Sequence, residues 1–388
     1  MRLGFVLYAG LDPGSQDAAG ARGVPPRDRA LYQATGGTIY DRYLVEGLRA
    51  LGDSVELWPL ERGPVAAVQA AWRARRAHSV VERPEVVLED ELVHPSLFWR
   101  PRTGRGPRRV ALVHNLFSRQ PDLPLAPWAR ERERRYLLGI DGAIAVCQST
   151  LDDLLDLRAS RGRAPAPLPT RVVYAGRDHL DPAVDDELVV RRALEPGPLR
   201  ALFVGAVAPH KGLRRLVTAL QPADAAWLRL EVAGSLTADW RYAVGVKAEI
   251  ASRGLQELVF LRGPLDATAL GALYRQSQVL VLPSDRESYP LSGIEALGHG
   301  LVPLLTDAGG TGELIRDGES GHLLSPEQPG RWRERLWQLH QQRAELAAQA
   351  KKARARYQEH GTWLDAARAV QAFCQQLRPF GSERHQSP

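Results

Sequence analysis

The chain has 388 residues, 44% hydrophobic and 25% charged, with two cysteines and a formal net charge of +6. That length exceeds one ordinary core and fits two domains, and the composition is that of a globular protein. No run of about 18 apolar residues exists, which excludes a spanning helix. Cys147 and Cys374 form no CxxC pair, which argues against a disulfide framework or zinc site and fits a reducing cytoplasm.

In chain order, MRLGFVLYAG carries a single Arg and reads as a first strand rather than a signal peptide. Tyr40, Leu44, Leu48 and Leu51 recur on one helical face, and Gly52 supplies a stop. Short apolar runs at Val55–Trp58, Val86–Glu89, Val110–Val113, Ala143–Cys147 and Val172–Tyr174 predict further strands. Alternation of such strands with helices predicts an α/β unit with a parallel, doubly wound sheet. The stretch 175–198, ending in LEPGP, reads as a linker. A second unit restarts at Ala201–Val204 and continues with Leu228–Ala233, Leu258–Leu261, Val279–Leu282, Val302–Thr306 and His322–Leu324. Its helices are expected near 212–220, 240–252, 266–276, 291–299 and 311–316. A polar, Ala-rich region at 327–358 is helical by composition, and Trp363–Leu377 forms an amphipathic helix. The expected domains are therefore 1–178 and 179–360, with a terminal helix at 361–378 that packs back on the first domain. The tail 379–388 reads as disordered.

No GxGxxG follows a strand and no GxxxxGK[ST] occurs, which removes the commonest dinucleotide and P-loop readings. What remains is a set of smaller signals. Gly36-Gly37 opens a helix where main chain can approach a ligand, since neither residue has a Cβ. An ordinary tight turn is the competing reading. His114 ends an apolar strand, at the edge where open α/β sheets bind ligands, although a core histidine is common there. Glu89, Asp90 and Glu91 end another strand. Three adjacent acids cannot all point one way, so no metal site is expected from them. Lys211 sits in a Gly-flanked turn of a chain whose basic residues are almost all arginine; only Lys211, Lys247, Lys351 and Lys352 are lysines. Such a position favours a compact ammonium. Glu287 and Glu295 flank a Tyr-Pro-Leu turn, and Glu295 lies in the apolar stretch LSGIEALG, where a carboxylate is costly unless paired or bound. Between Arg100 and Arg135 stand ten arginines against Asp122, Glu131 and Glu133, a local charge of +7. The segment reads either as a solvated face or as a surface for an anionic membrane or anionic acceptor. No nucleic-acid-binding motif accompanies it.

Four stretches together resemble the retaining glycosyltransferases of family 4: TGGTIYDRYLVEGLRALGDSVEL, VALVHN, LFVGAVAPHKGLRRLVTAL, and the Glu287–Glu295 segment followed by AGGTGELIRDGESGHLL. They span nearly the whole chain in the family's order. The resemblance implies a GT-B fold of two facing Rossmann-like domains, the first for the acceptor and the second for the nucleotide sugar. It implies hexosyl transfer from a nucleoside diphosphate sugar, most simply a UDP-sugar, with GDP- and ADP-sugars as further candidates, and no essential cofactor or metal. By position it casts His114, Lys211 and Glu287 as catalytic. It casts Gly36, Gly37, Gly205, Lys211, Glu287, Tyr289, Pro290, Leu291 and Glu295 as donor-binding. Glu295 would bond the ribose, Lys211 the diphosphate, and Gly309-Gly310 would serve mainly as a backbone turn. Asp90, Glu91 and His94 stand on the acceptor side. A cytoplasmic enzyme is the expected setting, with peripheral attachment to the inner membrane face as one option. Two departures stand out: Ala206 replaces an Arg that many relatives carry, and Pro290 removes a backbone donor where Gly is frequent. A sugar-nucleotide epimerase, a phosphorylase and a non-catalytic sugar-nucleotide-binding subunit are the alternative readings.

Overall fold

The structure is a computed structural model that describes residues 1–8, 36–60, 84–97, 106–119, 127–159 and 166–377. The tail at 379–388, and Arg100, Arg102 and Arg105 of the basic segment, lie outside these residues. The chain divides into two compact units, Met1–Gly176 with Thr362–Pro388, and Arg177–Gly361.

Among its described residues unit 1 holds six parallel strands: β1 (Arg2–Tyr8), β2 (Ser54–Leu60), β3 (Val86–Asp90), β4 (Arg108–Val113), β5 (Gly142–Ala145) and β6 (Thr170–Val172). Their order is β2-β1-β3-β4-β5-β6. The chain therefore leaves β1 in one direction for β2 and in the other for β3, which places a topological switch point between β1 and β3. Strand β3 is buried along its whole length, as expected of a parallel sheet covered on both faces. The main helices are α1 (Gly36–Ala50), α2 (Pro127–Leu138) and α3 (Gln148–Ala159). Tyr136 and Leu137 of α2 and Leu154 and Leu157 of α3 join Ala111 and Val113 of β4 in one apolar cluster.

Unit 2 holds β7 (Leu199–Val204), β8 (Leu228–Ala233), β9 (Val259–Gly263), β10 (Val279–Leu282), β11 (Val302–Thr306) and β12 (His322–Leu324), ordered β12-β11-β10-β7-β8-β9 and all parallel. Its main helices are α4 (Asp186–Leu194), α5 (Leu213–Ala219), α6 (Trp240–Ser252), α7 (Ala267–Gln276), α8 (Leu291–Gly298), α9 (Pro329–Gln341) and α10 (Arg343–Glu359), with a single helical turn at Thr311–Leu314. Helix α4 occupies a stretch that reads as linker in the sequence. Asp185 caps it by accepting from Leu188 N at 2.7 Å, and its Arg192 is buried. That guanidinium donates to the carbonyls of Tyr274, Arg275, His299 and Gly300. The Ala-rich region breaks into α9 and α10 around Gln342.

The last helix, α11 (Trp363–Gln376), belongs to unit 1. Thr362 and Asp365 form a reciprocal capping box at its start. It packs on α1, where a Cβ on Gly47 would stand 2.7 Å from Ala367 Cβ; glycine lets the two helices approach. Trp363 stacks on Tyr43 and meets the edge of Tyr40.

Candidate functional site

In unit 2 the switch point lies between β7 and β10, where open α/β sheets bind ligands beyond the strand carboxyl ends. Lys211 ends the short turn Pro209–Lys211 after β7. Gly212 follows with φ +67°, and a Cβ there would lie 1.9 Å from the Pro283 carbonyl, so the turn requires glycine. Glu287 lies in the loop after β10. Lys211 Nζ donates to Glu287 Oε1 at 2.7 Å, and Ser284 Oγ donates to the same oxygen at 2.6 Å. The backbone of Glu287 is fixed by the next crossover: its N–H donates to Ala308 O at 3.2 Å, and its carbonyl accepts from Gly310 N at 2.8 Å. Gly309, at φ +90°, makes this approach possible, since a Cβ would stand 1.9 Å from Glu287 O. Gly205 closes the other side, with its Cβ direction 3.9 Å from Lys211 Cδ.

Pro290 caps α8, and Glu295 lies on that helix. Glu295 Oε1 is 2.8 Å from His179 Nε2, and Oε2 accepts from the Tyr274 hydroxyl at 2.5 Å. Burial alone would raise the Glu295 carboxyl, yet the His179 hydrogen bond and charge, with Tyr274, hold it below its ordinary value. Burial and Glu295 together push the Tyr274 hydroxyl well up. Tyr289 is buried with its hydroxyl 3.1 Å from His360 Nδ1. Of the side chains that stand near Ala206 in sequence, Arg214 reaches Glu249 and Arg215 pairs with Asp285, so Lys211 is the cation that faces Glu287.

Unit 1 builds a second constellation at the carboxyl ends of β3 and β4. His114 Nε2 lies 2.9 Å from Asp41 Oδ1, and one ligating atom each from Asp41, Asp90 and His114 falls within 4.8 Å of the others. Asp41 is on α1, whose opening Gly37 sits against the His114 ring. Tyr40 meets that ring edge-on at 5.1 Å and donates its hydroxyl to Val173 O. Burial opposes charge on His114, but Asp41 and then Asp90 outweigh it and raise its affinity for a proton above the ordinary imidazole value.

The three consecutive acids separate. Glu89 takes a bidentate bond from buried Arg109, at 2.9 Å to each oxygen. Asp90 caps the next turn through Leu92 N and faces His114. Glu91 and His94 turn inward to Glu133 of α2. Among the described residues, three arginines of the basic segment are paired in space by acids distant in sequence: Arg109 with Glu89, Arg108 with Asp141, Arg119 with Asp153 and Asp156. On α2 itself Arg134 and Arg135 meet Glu131, while Trp128 remains exposed under the Arg132 guanidinium. Sequence reasoning did not find Asp41, His179 or Tyr274. Asp41 follows the glycine pair within YDR, but nothing local marks it as the partner of a histidine on another strand.

Residues 185–356 match the family model of the group 1 glycosyl transferases. The D-inositol 3-phosphate glycosyltransferase of Rhodococcus erythropolis is 29% identical over 263 residues, covering 66% of this chain and 58% of that protein. The D-rhamnosyltransferase WbpZ of Pseudomonas aeruginosa is 30% identical over 266 residues, 66% of this chain and 64% of its own length. The chain thus spans less than two thirds of these curated relatives. Among solved structures, sucrose-phosphate synthase from Thermosynechococcus elongatus superposes with a TM-score of 0.73 at 18% identity, covering 97% of this chain and 98% of that one. HepE from Anabaena, in complex with UDP and glucose, does so with a TM-score of 0.69 at 17% identity, covering 97% and 100%. Together with the two six-stranded parallel sheets, these likenesses identify the two-domain α/β fold as GT-B. Among the described residues no helix is long and apolar enough to cross a membrane.

Proposed function

We propose that this chain is a retaining hexosyltransferase that uses a nucleoside diphosphate sugar, most simply a UDP-sugar, as donor. The observation that carries the reading is the Lys211–Glu287 pair at the switch point of unit 2, with Glu295 on the helix that the same loop opens. An ammonium held in a glycine-bounded turn suits a diphosphate, and half-buried carboxylates with remaining acceptor capacity suit sugar hydroxyls. The Anabaena neighbour, crystallised with UDP and glucose, supports the same ligand class.

In the proposed reaction the bond from the anomeric carbon to the diphosphate oxygen breaks, and the acceptor oxygen bonds to that carbon from the same face. The acceptor proton passes to the departing phosphate. Negative charge grows on that phosphate, and Lys211 stabilises it electrostatically. Glu287 positions the sugar and, before the donor arrives, holds the ammonium in place. Glu295 binds the ribose while His179 and Tyr274 fix its orientation. In unit 1 we assign His114, held by Asp41, to the turnover step. No protein nucleophile or metal enters this scheme.

The acceptor is proposed to be anionic or to lie at an anionic membrane surface. Supporting this are exposed Trp128 with Arg130 and Arg135 on α2, and a relative named for inositol 3-phosphate. The deciding experiment is a screen of UDP-, GDP- and ADP-sugars for donor hydrolysis, with the anomeric configuration of any product read by NMR. Inversion would defeat the retaining assignment, and isomerised donor without transfer would favour an epimerase.

A further inference from the structure

The third of the three acids that end β3 leads away from the site described above. Glu91 opens a helical turn, His94 follows on its next turn, and Glu133 reaches them from α2. All three are buried, and one ligating atom from each lies within 4.8 Å of the other two. Glu133 accepts from Phe117 N at 2.7 Å and Ser118 N at 3.0 Å, as an ionised carboxylate does. Glu91 differs. It is fully buried, and no N–H or hydroxyl donates to either of its oxygens, so the Glu133 carboxylate is its hydrogen-bonding neighbour. Its neighbours are the Glu133 carboxylate, which is itself an acceptor, and His94, whose Nδ1 is 3.3 Å from Glu91 Oε1 and 3.0 Å from the Glu91 carbonyl. Arg132, whose charge also reaches His94, donates to the Pro95 carbonyl.

Two adjoining carboxylates in a dry interior cannot both remain bare anions. A positive species has to lie between them, either a proton or a metal ion. A shared proton would join Glu91 to Glu133 and leave His94 on its Nδ1 contact with the Glu91 carbonyl, whereas an ion would engage all three side chains. The donor set points to the metal. A Glu-x-x-His pair on one helical turn, answered by a Glu from another helix, is the arrangement by which helical carboxylate proteins hold first-row ions. Imidazole with carboxylates suits such divalent ions.

We propose that Glu91, His94 and Glu133 bind a divalent transition ion of the zinc or manganese class, with a structural role. It would tie the end of β3 to α2. Through the two backbone bonds of Glu133 it would also brace the Phe117–Arg119 turn that follows His114. The site stands whether or not the chain transfers a sugar.

The full chain is stripped with EDTA, dialysed against Zn2+ or Mn2+, and assayed by elemental analysis and thermal unfolding. The expected result is about one ion per chain and a higher Tm with metal, both lost in Glu91→Gln. Glutamine mimics a protonated glutamate, so the variant can fold without metal. Wild type that binds no ion, together with a Glu91→Gln variant that melts like wild type with and without metal, would overturn the proposal in favour of a shared proton. If the variant fails to fold, Co2+ absorption in the wild-type chain decides: ligand-field bands support the site, and their absence overturns it.

Discussion

His179 brings its Nε2 to 2.8 Å from Glu295 Oε1, while Tyr274 donates to the other oxygen at 2.5 Å. The two partners come from a loop preceding α4 and from α7, and they clamp a carboxylate that would otherwise be an isolated charge in an apolar helix. A clamp of this kind leaves one rotamer and directs the remaining lone pairs. Glu295→Ala is expected to weaken UDP binding by about 1–3 kcal/mol, the scale of a lost charged hydrogen bond. Calorimetry showing unchanged affinity in a folded variant would remove Glu295 from the nucleotide site.

The same clamp has a pH signature. The folded Glu295 carboxyl is depressed, so its contribution to stability is present above the unfolded value of 4.5 and is lost as pH falls through the lower folded value. His179→Ala removes the chief stabiliser of the charged form. Its stability deficit against wild type should be present near neutral pH and shrink as pH falls below the ordinary carboxylate range and Glu295 protonates in both. Parallel acid-unfolding curves with a constant offset would contradict the clamp.

Lys211 is the cation at the switch point. Lys211→Ala should lower kcat by about 100- to 1000-fold, the range seen when one charge-stabilising group is removed from a transition state. Donor turnover near the wild-type rate would dismiss its assigned role.

In the proposed reaction Asp41 acts through His114, whose Nε2 it meets at 2.9 Å. His114→Ala should cut kcat far more than it weakens UDP binding, whereas a lower Tm with normal turnover would mark a core histidine. For the pair, the His114 imidazolium is favoured in the fold. Its stabilisation is therefore complete below the unfolded value of 6.5 and disappears as pH rises through the higher folded value. Asp41→Asn should shift the histidine limb of the rate–pH profile to lower pH. It should also lose most stability, relative to wild type, in acid. An unmoved limb would leave Asp41 a structural residue only.

Exposed Trp128 and the arginines of α2 should bind anionic vesicles at low salt and release them at high salt, because attraction between exposed charges is screened. Since Arg108, Arg109 and Arg119 are already paired within the fold, the response should depend on Trp128 and Arg130. No sedimentation at low salt, with good activity on a neutral soluble acceptor, would end the membrane reading.

Eleven of the twelve strands among the described residues coincide closely with apolar runs, because a strand covered by the sheet's neighbours must be largely apolar; the half-exposed edge strand β6 meets its expected run, 172–174, only at Val172. The turn around Lys211 and the loop around Glu287 were legible for a similar reason: Gly212 and Gly309 at positive φ meet local demands of tight backbone approach. Helix α4 was not, because nine residues of DELVVRRAL between Pro-rich flanks resemble a linker until Arg192 finds its four carbonyls. The local charge of +7 overstates the free charge, since folding delivers Glu89, Asp141 and Asp153 to Arg109, Arg108 and Arg119. Asp41 beside His114, His179 beside Glu295, and Glu133 beside Glu91 were decided only by tertiary packing. Each pair joins residues whose separation along the chain carries no periodic signal, and only the parallel sheets and the helices over them bring their atoms within hydrogen-bonding or coordinating range.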